Sequence, residues 1–201
     1  MKALFETEFS YLVSMPFVSK HIRFFICIIF FLQLQSNFAV AQVYTVTTGS
    51  IKFKSEARLE LIKAESSELK GKIDVARKTF AFGVKMRSFE GFNSSLQKEH
   101  FNENYLETNQ YPDAYFTGKI IEDINLAQDG TYQVRAKGNL IVHGIAQERI
   151  IKSTLTVRNG VLLIETDFTV QLSDHNIPIP KIVHENLASD IFVSVHARLQ
   201  Q

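Results

Sequence analysis

Tyr132-Gln133-Val134-Arg135-Ala136-Lys137-Gly138-Asn139-Leu140-Ile141-Val142 places small or apolar side chains at its even positions and, as far as Asn139, polar ones at its odd positions. Period-two alternation gives a strand one dry face and one wet face. The same pattern recurs on both sides. Phe80, Phe82, Val84 and Met86 alternate with Ala81, Gly83, Lys85 and Arg87, and Leu69, Gly71, Ile73 and Val75 with Lys70, Lys72, Asp74 and Ala76. Phe168, Val170 and Leu172 alternate with Thr169, Gln171 and Ser173, and Ile191, Val193, Val195, Ala197 and Leu199 with Phe192, Ser194, His196, Arg198 and Gln200.

Turn residues separate these runs. Thr48-Gly49-Ser50 follows a first strand, Val43–Thr47, while Gln128-Asp129-Gly130 and Arg158-Asn159-Gly160 read as hairpin links. Asn-Gly and Asp-Gly suit such links because both central residues need positive φ. The runs predict strands at 43–48, 51–63, 68–75, 79–87, 114–123, 131–142, 147–157, 161–172 and 190–199. Consecutive hairpins pair antiparallel, and long one-sided strands curl into a barrel or a strongly curved sheet. The expected fold is therefore all-β, an antiparallel barrel of about eight strands.

One segment departs from the pattern. Leu96, His100, Phe101 and Tyr105 recur at helical spacing, and Ser94 followed by Gln97 fits a capping box. This predicts a short helix in a long connection, ended before Tyr111-Pro112. Ile177-Pro178-Ile179-Pro180 must leave a regular ladder, because proline cannot donate to it.

The N-terminal segment reads as a targeting signal. The uncharged run Phe24–Leu32 follows Lys20, His21 and Arg23 and precedes Ala39-Val40-Ala41. A basic flank, a short apolar stretch and small residues at −3 and −1 make a secretory signal, residues 1–41, with cleavage after Ala41. The run is short of the 20 or so apolar residues of a membrane span. Glu6 and Glu8 occupy the place of a basic region, which makes Met15 a candidate start and residues 1–14 an extension of it. The expected product, 42–201, is periplasmic or secreted and has no stable membrane anchor. Cys27 lies inside the removed run, so that product holds no thiol nucleophile, disulfide or cysteine metal ligand.

Without Lys2, Lys20, Arg23, Glu6 and Glu8, the totals of 22 basic and 21 acidic residues fall to 19 of each. A nucleic-acid partner calls for a basic excess, and there is none. A homodimer stays open. The strands are about a dozen residues long, about 40 Å at strand rise. An eight-stranded barrel of that length is either filled by its own side chains or holds one small ligand. Small residues beside many phenylalanines leave both readings open.

Three stretches stand in order: Glu99-His100-Phe101 with Tyr111-Pro112-Asp113-Ala114-Tyr115-Phe116-Thr117-Gly118; Gly138-Asn139-Leu140-Ile141-Val142-His143-Gly144-Ile145; and a closing strand pair with Asp174 between them. Over 43–199 the chain resembles the YceI-like family of exported, lipocalin-like proteins. The resemblance implies an extended lipocalin-like barrel with a helix packed at one end. It also implies non-catalytic binding of a polyisoprenoid or similar acyl chain, with no cofactor. The family's aromatic-glycine pair after the penultimate strand is replaced here by Ser173-Asp174-His175-Asn176-Ile177-Pro178, which implies a different ligand head group. The candidate lining residues are Phe53, Phe80, Phe82, Phe116, Val134, Leu140, Phe168, Leu172, Ile191 and Val193, with Phe101 on the helix plugging one end or docking the helix. The alternative is an interaction module with a filled barrel, presenting outward residues such as Phe192.

Catalytic and metal chemistry find little support. His175 and His184 with Asp174 and Glu185 offer ligand types for a metal, but no HxH or HExxH spacing accompanies them. His143, at a strand end before Gly144, reads as a turn histidine. There is no Gly-x-Ser-x-Gly and no phosphate loop. Glu122-Asp123 beside a turn are expected to meet water. The expectation is no enzyme, no metal and no cofactor.

Overall fold

The computed structural model describes residues 42–201. The expected targeting segment, with Cys27 and its cleavage site, lies outside them. Nine strands follow one another: β1 (Val43–Glu56), β2 (Leu61–Ser66), β3 (Lys70–Asp74), β4 (Thr79–Lys85), β5 (Asp113–Ile120), β6 (Gly130–Val142), β7 (Ile145–Arg158), β8 (Val161–Gln171) and β9 (Asp190–Gln200). A short helix, α1 (Ser95–His100), continues into a π-helical turn, Phe101–Tyr105.

All pairings are antiparallel, in the order β2-β1-β3-β4-β5-β6-β7-β8-β9, and β1 also pairs with β9. Eight strands thus close an all-β barrel, and β2 is an extra strand on the edge of β1. Both β3 and β2 lie along that edge in one register: Val43 faces Asp74 and, further on, Ile51 faces Ser66. Glu65 and Glu90 then exchange backbone hydrogen bonds of 2.8 and 2.9 Å, which covers the free edge of β2.

The first hairpin differs from expectation. Thr48-Gly49-Ser50 is no turn, because β1 runs through it with a register shift between Val46 and Thr48. Gly49 serves close packing instead: a Cβ there would stand 3.2 Å from the side chains of Leu69 and Val46. The chain turns at Ala57–Glu60, where the Ala57 N–H donates to the Glu60 carbonyl (3.0 Å). That segment holds no Gly, Pro or Asn to announce it.

Elsewhere the expected strands match within one to three residues. Arg158-Asn159-Gly160 is a hairpin turn with Asn159 at φ 50° and Gly160 at φ 74°, as the primed turns require. Asp129 does not make a tight hairpin. A connection over 121–129 precedes β6, and the Asp129 carboxylate accepts the Asn159 N–H (3.0 Å), tying two loops together. Glu122 is also no free carboxylate. It accepts the Arg135 backbone N–H (2.6 Å) and the Arg135 Nε–H (2.7 Å), which hold its pKa below the usual range.

That 121–129 connection closes one end of the barrel. Tyr44, Ile73, Leu126, Val157, Leu162 and Leu199 are fully buried there. The Tyr44 hydroxyl donates to the Leu126 carbonyl (3.2 Å), so the aromatic ring sits in the plug with its polar atom satisfied. At the opposite end, α1 and the segments 86–112 and 172–189 form a looser cover. The Ser94 Oγ caps α1 by accepting the Gln97 N–H (3.1 Å), and the Gln97 Oε1 accepts the Asn93 N–H (3.0 Å).

Candidate functional site: the barrel interior

The interior is not filled. A cavity of about 360 Å³ lies under α1 and the 172–189 cover, and a second of about 120 Å³ lies deeper between the strands. Ile51, Val84, Ala114, Leu140 and Phe168 line both, so the two spaces are neighbours that share part of their walls. An apolar cavity of about 150 Å³ stays dry and holds a benzene. By that standard the outer cavity has room for on the order of a dozen carbons. Its size also lies in the range of small-molecule sites.

The alternation that makes the strands also makes these walls. Phe80, Phe82, Phe116 and Val134 line the inner cavity, and Leu140 and Phe168 line both. Phe53, Phe101, Leu172, Ile191 and Val193 line the outer one. The structure thus brings all eleven candidate residues to the interior. Phe80 and Phe116 pack with ring centroids 4.8 Å apart. Phe192 points outward, half exposed, with the Lys54 ammonium 5.4 Å from its ring.

The small residues separate into two kinds. Gly71 faces Phe82 in the ladder, and a Cβ there would stand 2.2 Å from the Phe82 ring. Gly118 and Gly138 face each other across β5 and β6, where a Cβ on either would stand 2.1 Å from a backbone carbonyl of the other strand. These glycines permit close packing and open no space. Ala114 and Ala136, by contrast, leave room along the cavity wall.

Phe101 docks the helix and lines the outer cavity at once. Its ring stacks on Phe53 and packs against Phe89 and Phe92. Phe89 and Phe92 also line the cavity, although sequence reasoning missed them. They sit in an irregular segment, where no period distinguishes an inward side chain. Glu60, expected within a strand over 51–63 but standing in the turn before β2, and Asn186, in the irregular cover, sit with Ser94, Gln97 and His100 among the polar residues of the outer cavity. Ser94, Leu96 and His100 are exposed, so the mouth lies beside α1. No lysine or arginine lines this cavity.

The histidine motifs serve the cover. His143, at φ 50°, begins the tight turn completed by Gly144 at φ 72°. Its Nδ1 lies 3.1 Å from the His175 carbonyl and its Nε2 2.6 Å from the Glu107 carboxylate, and Tyr111 packs edge-on against the ring. It is a hydrogen-bonded turn histidine that ties β6–β7 to both covering segments.

His175 is fully buried, and neither it nor Asp174 lines a cavity. At the loop whose sequence implies a different head group, Leu172 and Ile177 flank the cavity side, and the histidine turns back into the wall. Its Nδ1–H donates to the Ile145 carbonyl (3.1 Å), while Nε2 is buried without a partner. Burial pushes its pKa below 6.5, against the raising effect of the Ile145 and Val142 carbonyls. The conceivable metal group is not assembled, since Asp174 lies 3.8 Å from Arg149 and Glu185 pairs with Arg58 (2.8 Å). Among the described residues, no three His, Cys, Asp or Glu side chains come together as metal ligands. None of the described helices is long and apolar enough to cross a membrane.

A family model for the YceI-like domain matches residues 33–199. The chain belongs to the YceI-like family. This family member superposes on several solved structures. A polyisoprenoid binding domain from Saccharophagus degradans, implicated in plant cell wall breakdown, aligns with a TM-score of 0.64 at 13% identity, covering 78% of this chain and 97% of that one. BcnA from Burkholderia cenocepacia aligns with a TM-score of 0.62 at 13% identity, covering 75% and 95%. The YCEI protein of Campylobacter jejuni aligns with a TM-score of 0.51 at 16% identity, covering 64% and 78%. At these identities the likeness is one of fold. No curated protein matches the sequence.

Proposed function

We propose that this YceI-like chain binds or carries a long apolar chain, a polyisoprenoid or similar acyl lipid, inside its barrel without catalysing a reaction on it. The observation that carries this reading is the outer cavity, lined by Phe53, Phe101, Phe168, Leu172, Ile191 and Val193 and sharing part of its wall with a second apolar space. Each methylene moved from water into such a space contributes about 0.8 kcal/mol. A chain of a dozen carbons therefore needs no reacting group to bind well. The polyisoprenoid binding domain among the structural neighbours supports the same ligand class. The targeting signal expected at residues 1–41 agrees with a role in the periplasm or outside the cell, where a lipid crossing water needs a dry shell.

The interaction-module alternative assumes a filled barrel, and the two cavities favour the binding reading over it. The test is direct. Protein expressed with its own signal is extracted with organic solvent, and the extract is analysed for long-chain lipid. Purified protein is then tested for a thermal shift with geranylgeraniol. A co-purified chain or a positive shift supports the reading. Protein that is bare and unresponsive overturns it.

A further inference from the structure

The outer cavity ends in an asymmetric polar rim. Glu60 is half-buried at the first hairpin and lines the cavity. Its Oε1 accepts hydrogen bonds from the Gln97 Nε2 (2.9 Å) and the Asn93 Nδ2 (3.4 Å), and its Oε2 accepts one from the Asn186 Nδ2 (3.4 Å). Three side-chain amides from two covering segments, Asn93 and Gln97 on one and Asn186 on the other, thus converge on one carboxylate. The amide of Asn93 is also committed to the Leu61 carbonyl (3.0 Å). The Ser94 and Ser55 oxygens each already accept a backbone N–H.

The charges nearby give no counterweight. Arg58 and Lys98, on the flanking segments, pair with Glu185 and Glu90. Apart from the exposed His100, no basic side chain lines the cavity. The rim therefore offers a ligand one thing above all: the remaining acceptor capacity of a carboxylate, concentrated on Oε2. A hydroxyl or ammonium group emerging from the cavity can donate to it, and with ammonium the hydrogen bond is charge-assisted. A phosphate or carboxylate head would meet like charge, find its potential amide donors already directed at Glu60, and be left unpaired in a half-buried place.

We propose that Glu60 is the head-group acceptor of the cavity, and that the ligand carries a hydrogen-bond-donating head, an alcohol or an amine, rather than an anionic one. This rests on the reading of the barrel as a lipid binder. It assigns a specificity to the mouth that the apolar walls cannot supply, since Phe and Val side chains accept any chain alike.

The experiment displaces the neutral apolar dye N-phenyl-1-naphthylamine from the full folded domain with four competitors: geranylgeraniol, geranylgeranylamine, geranylgeranyl phosphate and the headless hydrocarbon squalane. In the wild-type protein the alcohol and the amine are expected to compete about tenfold or more better than the phosphate of the same chain. In Glu60→Gln, which keeps the side chain's length and, through its one amide oxygen, the contacts with Gln97 and Asn93, while an NH2 replaces the Oε2 beside Asn186, that ratio should shrink to about threefold or less, by a gain for the phosphate and a loss for the amine. The wild-type ratio needs no variant, so a misfolded Glu60→Gln leaves the test standing. Equal competition by alcohol and phosphate, or a ratio unchanged in a folded Glu60→Gln, overturns the head-group assignment alone. Failure of the dye and of every competitor, squalane included, overturns the lipid-binding reading beneath it.

Discussion

Phe101 lies on Phe53 with ring centroids 5.3 Å apart and planes inclined by only 12°. One ring belongs to the turn that continues α1, the other to the barrel strand β1. The helix is too short to be stable by itself, and none of its own six residues is buried. Its position over the cavity depends on this contact and on the cluster with Phe89 and Phe92.

Removing the upper ring should loosen the cover more than the barrel. Phe101→Ala is expected to cost about 2 to 3 kcal/mol, less than a fully buried phenylalanine because Phe101 is only partly buried. A double-mutant cycle with Phe53→Ala should return a coupling of about 1 kcal/mol. Urea unfolding of the four proteins measures it. Strict additivity would show that the stack carries no energy of its own.

The facing glycines of β5 and β6 should be the least replaceable in the barrel. Gly138→Ala drives a methyl to 2.1 Å from the Thr117 carbonyl, so the two strands must separate; the expected cost is about 3 kcal/mol or more. Gly160→Ala meets nothing within 4 Å and costs only the strain of φ 74°, about 1 kcal/mol. Thermal unfolding of both variants side by side checks the order. A Gly160→Ala as damaging as Gly138→Ala would refute the close-approach explanation.

His175 should make the domain acid-sensitive. Burial keeps the folded-state ring neutral below 6.5, the ordinary value that the unfolded chain retains. Below that pH the unfolded state binds the proton that the folded state resists. Stability is therefore complete above about pH 6.5 and declines as the pH falls below it. Asp174 opposes the shift and Arg149 reinforces it, both more weakly than burial does. Urea midpoints between pH 8 and pH 5 should fall for the wild type and fall less for His175→Asn. Parallel curves for the two proteins would place the pH dependence elsewhere.

The inner cavity should set the longest chain accepted. Ala136 lines it from β6, between Ile120 and Ile151 of the neighbouring strands. Ala136→Leu fills much of a space of about 120 Å³. A series of unbranched alcohols tested by dye displacement should then lose affinity at the long end and keep it at the short end. Uniform weakening at every length would mean that bound chains stay in the outer cavity.

What the sequence determined by itself is the part governed by local rules. Side chains two apart on a strand share a face, so the alternation at 132–142 and 190–200 assigned β6 and β9, their inward residues and the outward Phe192 directly. Asn159-Gly160 and Ser94 with Gln97 are equally local, because each motif satisfies its own backbone. What needed the tertiary structure is whatever depends on distant partners. Gly49 looks like a turn residue until Leu69 is seen beside it. Asp129 looks like a hairpin residue until it is seen capping Asn159. His175 looks like a candidate metal ligand until the wall is seen to close over it. The empty space inside the barrel and the convergence of Gln97, Asn93 and Asn186 on Glu60 belong to the same class. Volume and hydrogen-bond convergence are properties of several segments at once, and no spacing along the chain encodes them.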